Sequence, residues 1–215
     1  MIENRATLSH GASALSMTVI DPHQINDAAH VLSRAFYHDP LFQYLFPEDS
    51  TRKNLSFYTF KFIISHAYKK GFILSTSPSL EGIAVWLPSS SIHRNLIDQI
   101  RFGALTIYLK QGKEIINRQV SASEYMKSLH RSQLSVPHLY LSTIGIDETH
   151  RGKGLASSLI QPMLDKADRE GLPCYLDTHN ENNVGLYQRF GFRVAHESVI
   201  PDSNVRHWAM IRHNQ

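Results

Sequence analysis

One stretch limits what this chain can fold into. Tyr140-Leu141-Ser142-Thr143-Ile144-Gly145-Ile146 is apolar and rich in β-branched residues, and it runs through a polar loop carrying Gly152 and Gly154 into a helical pattern from Leu155 to Glu170. The first part reads as a strand and the last as a helix. A strand that enters a helix through a basic, glycine-bearing loop is an anion site. The first backbone N–H groups of the helix lack partners, and the helix dipole is positive there. Gly152 and Gly154 remove the Cβ atoms that would hold a phosphate away from those groups. Arg151 and Lys153 add positive charge beside them. The expected occupant is the pyrophosphate of a nucleotide-like cofactor.

Two familiar phosphate loops are excluded by single residues. A P-loop would need glycine at 147 and Ser or Thr after Lys153, where Asp147 and Gly154 stand. The dinucleotide fingerprint would need glycine at 157, which is Ser157. The pattern that fits is Arg151-x-x-Gly154-x-Ala156. A second motif follows in Asn183-Val184-Gly185-Leu186-Tyr187-Gln188-Arg189-Phe190-Gly191-Phe192, with the strand Leu172–Thr178 between the two. On these two motifs and their order over residues 138–200, the chain resembles the GNAT superfamily of acetyl-CoA-dependent N-acetyltransferases. The likeness is closest to the puromycin N-acetyltransferase-like branch. That branch shares the strand ending Ile144-Gly145-Ile146, a proline in the next helix (Pro162) and the strand Tyr175-Leu176-Asp177-Thr178.

The resemblance implies an α/β chain of α+β type with the GNAT fold: a mixed, mostly antiparallel twisted sheet flanked by helices, with a V-shaped splay between its two middle strands. It implies acetyl-CoA as acetyl donor, with no metal. Ile144, Gly145 and Ile146 would pair with the pantetheine arm like an added strand. Arg151, Gly152, Lys153, Gly154, Leu155 and Ala156 would hold the pyrophosphate. Asn183 would bond the arm, although Asn equally suits a helix N-cap. Tyr187 would stand beside the thioester sulfur.

A transfer from thioester to amine needs alignment, a deprotonated amine and a protonated leaving thiolate. An amine of pKa about 10 is only about 0.1% neutral at pH 7, so a base is useful. Tyr187 is the expected general acid, because a phenol keeps its proton until a thiolate of similar basicity departs; packing of the short helix is its alternative role. Asp177 is the candidate base, with His179 two residues on; either also suits a structural role.

The remaining sequence bounds the protein. Its 215 residues, 42% apolar and 19% charged, suit an ordinary globular core. A net charge of +3 suits an anionic cofactor and is too dispersed for nucleic acid. The single cysteine, Cys174, lies in an apolar strand pattern and is expected to be buried and inert. No run approaches the roughly 18 apolar residues of a membrane span, and the first 16 residues lack the apolar core of a signal peptide. Residues 1–15 are expected to be a flexible tail and 16–215 a single domain. A cytoplasmic enzyme with no nucleic-acid or membrane partner, monomeric or homodimeric, is expected.

In the N-terminal half, Met17–Ile20 reads as a strand and Gln24–Tyr37 as a helix stopped by Asp39-Pro40. Pro40–Pro47 reads as an aromatic connection that, by the resemblance, lies over the acceptor pocket; Phe42, Tyr44 and Phe46 could instead cap the core. Thr51–Lys70 reads as a helix, Phe72–Thr76 and Gly82–Leu87 as strands, and Ile92–Leu109 and Ser123–Leu134 as helices with Gly103 and Gly112 as weak points. The function expected is acetyl transfer to a primary amine of a small-molecule acceptor by direct attack in a ternary complex. The alternatives are a protein or peptide N-acetyltransferase and a non-catalytic acyl-CoA-binding module.

Overall fold

The structure is a computed structural model that describes residues 18–92 and 96–214. The expected tail therefore lies outside the described residues. Among the described residues seven strands form one sheet: β1 (Thr18–Val19), β2 (Phe72–Ser75), β3 (Gly82–Pro88), β4 (Leu139–Ile146), β5 (Cys174–Thr178), β6 (Arg193–Val199) and β7 (Arg206–Arg212). Their order is β1-β2-β3-β4-β5-β7-β6, antiparallel except for the β4–β5 pair. Seven α-helices accompany them among the described residues: α1 (Ile25–Ala35), α2 (Pro40–Leu45), α3 (Asp49–Lys70), α4 (Leu96–Arg101), α5 (Ala104–Gln133), α6 (Leu155–Glu170) and α7 (Glu181–Arg189).

Alternation along the strands sends one set of side chains to each face. On one face Trp86, Leu139, Leu141, Cys174, Leu176 and Met210 pack under Leu159, Ile160, Met163 and Leu164 of α6 and Tyr187 of α7. On the other, Ile83, Val85 and Leu87 pack under α1 and α3, and Tyr175, Ala209 and Ile211 pack with Leu129 and Leu134 near the end of α5. α6 runs unbroken through Pro162. Proline removes the donor that would reach the Ser158 carbonyl one turn back; the indole N–H of Trp86 donates to the next carbonyl, that of Leu159, at 3.3 Å.

Three elements differ from the sequence reading. Pro40–Leu45 is a short helix rather than a connection, because Asp39 caps it: its carboxylate accepts from the Leu41 and Phe42 amides at 3.0 and 3.3 Å. Pro40 thus starts a helix at N1, where its missing N–H costs nothing. The 89–136 stretch is a short helix and then one long helix interrupted only at Gly112, which sits at φ 78°. The seventh strand, absent from the sequence reading, inserts between β5 and β6.

Candidate active site

The sheet opens where β4 and β5 part. They pair only at Leu139–Cys174, Tyr140–Tyr175 and Leu141–Leu176. Beyond Leu141, β4 keeps only β3 as a neighbour while Asp177 and Thr178 keep only β7. The splay begins at a β-bulge: Trp86 faces Leu141 and Val85 faces Thr143, which leaves Ser142 as the extra residue. Bulges bend the strand that carries them, and this one lets Leu141 and Ile144 share the α6 face.

At the open end, the loop from β4 into α6 turns on Gly152 and Gly154, at φ 78° and 75°. L residues rarely adopt that region, and a Cβ added at either position would meet no protein atom within 4 Å. Among the described residues, the backbone N–H groups of Gly152, Lys153, Gly154, Leu155 and Ala156 have no acceptor; the first bonded amide is Ser157, which donates to the Gly154 carbonyl at 3.0 Å. Five consecutive free donors at the positive end of a helix, with open space beside both glycines, fit a pyrophosphate. Lys153 is exposed beside them. Arg151 does something else: its guanidinium donates to the Ala35 and Ile146 carbonyls at 2.8 and 3.3 Å, fastening the loop to the ends of α1 and β4.

The other expected cofactor residues divide by face. Ile144 and Ile146 lean toward the α6 layer. Gly145 faces α1, where an added Cβ would lie 2.8 Å from Leu32 and 2.9 Å from Ala35. Its lack of a side chain therefore serves helix packing. Asn183 does not cap its helix, since the N-cap of α7 is Asn180, whose side chain accepts from the Asn182 amide. The half-buried Asn183 amide side chain makes no hydrogen bond within the described residues and is free to bond a ligand.

Tyr187 is 5% exposed in the α6-side layer, and its hydroxyl has no hydrogen-bond partner among the described residues. Burial, and then the negative charge of Asp39, push its phenol well above the usual value. Asp39 is the site residue that sequence reasoning missed. Burial raises its carboxyl to about 6, against the two amides of α2 that hold it down. The only local signal was the Asp-Pro pair, which reads as a helix stop as readily as a helix start.

Asp177 points to the opposite face from its neighbour Leu176. It accepts from Tyr175 and Tyr140 at 2.9 and 3.2 Å and lies 3.2 Å from His207 Nε2. His207 Nδ1 is in turn 3.2 Å from His179 Nε2. Asp177 and His179 thus share one cluster through His207, and Asp39 is the acid whose charge acts on Tyr187. Burial pushes the His179 imidazole down to about 3, with His207 adding to the effect. The aromatic segment is mostly core: Phe42 stacks on Phe60 at 4.7 Å and Phe46 is 1% exposed, leaving Tyr44 as its half-buried ring. Cys174 is buried, which pushes its thiol up to about 12 and leaves it inert. No group of metal-binding side chains occurs among the described residues.

A splayed sheet, a phosphate-ready loop and a buried phenol with an idle hydroxyl are the parts of an acyltransferase of GNAT class. Comparison with known proteins agrees. The model of the acetyltransferase (GNAT) family matches residues 104–192. An uncharacterized N-acetyltransferase of Schizosaccharomyces pombe is 27% identical over 173 residues, 77% of this chain and 69% of that protein. Among solved structures, the "histone acetyltransferase HPA2 and related acetyltransferase" of Corynebacterium glutamicum superposes with a TM-score of 0.67 at 20% identity, over 93% of this chain and 96% of the other. Polyamine N-acetyltransferase of Drosophila melanogaster superposes with a TM-score of 0.59 at 14% identity, over 92% and 99%. The NatC complex bound to a Gag peptide and CoA superposes with a TM-score of 0.53 at 16% identity, over 93% and 98%. The last three are likenesses of fold. The chain thus has the GNAT fold, and its residues 104–192 match the acetyltransferase (GNAT) family.

Proposed function

We propose that the protein transfers an acetyl group from acetyl-CoA to a primary amine of a small-molecule acceptor, by direct attack within a ternary complex. The observation that carries this reading is the run of free amides from Gly152 to Ala156 where the sheet opens, together with the buried Tyr187 and its unused hydroxyl. Acetyl-CoA supplies the acetyl thioester. The free amides from Gly152 to Ala156 and the Asn183 side chain bind and orient it. Asp39, mostly ionised at neutral pH and unusually basic for a carboxylate, accepts the ammonium proton of the acceptor. Tyr187 donates its proton to the departing sulfur. The burial that raises the phenol also raises the basicity of a thiolate released beside it, so acid and leaving group stay matched.

The small-molecule acceptor is supported by the likeness of residues 140–178 to the puromycin N-acetyltransferase-like branch. Several structures sharing the fold act on such amines by name, including an arylalkylamine N-acetyltransferase of Aedes aegypti. A cytoplasmic site of action is proposed with it, because a lone buried thiol suits a reducing compartment. The test is release of free thiol from acetyl-CoA with polyamines, arylalkylamines and peptides carrying free N-termini. Turnover on small amines, with little on peptides, is the expected result. The reverse preference would make it a peptide N-acetyltransferase, and tight acetyl-CoA binding with no turnover on any amine would make it a binding module.

A further inference from the structure

We propose that the outer face of α4 and the first two turns of α5 docks on an anionic lipid surface. Six large apolar side chains stand 50–75% exposed within this one stretch: Leu96, Ile97, Ile100, Leu105, Tyr108 and Leu109. Other exposed large apolar residues, such as Val120 and Val199, occur singly. Scattered apolar residues are ordinary on a surface, whereas a continuous group marks an interface.

The opposite side of the stretch is fixed to the body of the protein. Phe102 meets His66 of α3 edge-on at 5.4 Å. Gln111 is buried and donates to the Leu55 carbonyl and the Thr59 hydroxyl at 2.7 and 2.9 Å. Gly103 and Gly112, at φ 108° and 78°, set the corners at either end of the first part of α5. The apolar face is therefore held outward and has no counterpart within the described chain.

Charge selects the occupant. Arg101, Lys110 and Lys113 are exposed among these apolar residues, and the stretch 96–113 holds one acid, the half-buried Asp98. Two copies of the chain packed through this face would bring their cations together. A negatively charged bilayer surface would attract them while the Ile, Leu and Tyr side chains enter its interfacial layer. Such helices lie in the interface plane. The expectation of no membrane partner rested on the lack of a spanning run, and no described helix is long and apolar enough to cross a membrane; a peripheral contact needs neither. It revises that expectation.

The test is co-sedimentation of the full-length protein with vesicles of phosphatidylcholine alone and with about 30% phosphatidylglycerol. The expected result is binding to the anionic vesicles alone, weakened about tenfold or more by raising salt to about 0.5 M. Leu105→Glu with Leu109→Glu, and separately Lys110→Glu with Lys113→Glu, should each lower binding by about tenfold or more. Both sets lie on exposed positions, so thermal unfolding should be unchanged, and binding is read without turnover. The proposal is overturned by absence of binding to anionic vesicles, by binding the variants retain, or by a concentration-dependent dimer that the Leu105→Glu and Leu109→Glu pair dissolves.

Discussion

Burial raises the Tyr187 phenol of α7, and the negative charge of Asp39, the cap of α2, adds to that rise. A base of pKa about 6 is active when ionised, so kcat/KM should fall as pH drops through about 6. Asp39→Asn should remove that acid limb and lower the rate by roughly 10²–10⁴-fold. A pH–rate profile of both enzymes checks this; an unaltered limb in the variant would assign the base elsewhere.

Tyr187→Phe removes the proton donor and leaves the ring in its place. Turnover should fall by roughly 10²–10⁴-fold with acetyl-CoA affinity little changed. Steady-state kinetics beside calorimetric binding separate the two effects, and a fully active variant excludes Tyr187 from proton transfer.

Gly154→Trp should abolish acetyl-CoA binding, because its indole would fill the open space beside this glycine that the proposed pyrophosphate site needs. A non-glycine residue at φ 75° also strains the turn by about 1–2 kcal/mol. Calorimetry on a variant shown to be folded decides the matter, and retained affinity would move the cofactor off the loop.

Gly145→Ala should act on stability first. Its Cβ would press on Leu32 and Ala35 of α1 at 2.8 and 2.9 Å, costing about 1–3 kcal/mol. Denaturant unfolding measures this directly; a variant as stable as the wild type would mean that α1 yields freely.

His179 gives a pH dependence of stability. Its folded pKa of about 3 lies below the unfolded value near 6.5, so the unfolded chain binds the proton more readily between them. That contribution is present above pH 6.5 and is lost as pH falls toward 3. Melting temperatures of His179→Asn should decline less over that window than those of the wild type.

The parts of the site legible in the sequence are those governed by short-range rules. Gly152, Gly154 and the helix beginning at Leu155 follow from backbone freedom and spacing, and α6 occupies the span that its periodicity predicts. Asn183 and Tyr187 stand one turn apart on α7, as the second motif requires. What escaped depends on distance in the chain. Asp39 owes its raised pKa to a burial that the local sequence does not show, and Asp177 meets Tyr140 and His207, neither a sequence neighbour. The Asp39-Pro40 pair was ambiguous because the same two residues end one helix and begin another. β7 was hidden because six of its seven residues are buried, which erases the alternation that identifies a strand.

Ser142 gives β4 something like a reading frame. Upstream of it, the odd-numbered residues Leu139 and Leu141 face α6; downstream, the even-numbered Ile144 and Ile146 do. Deleting this one residue would restore simple pairing with β3 and leave Thr143, Ile144 and Ile146 opposite their present partners and on their present faces. The chain would keep its glycines and both motifs, yet lose the bend at which β4 parts from β5.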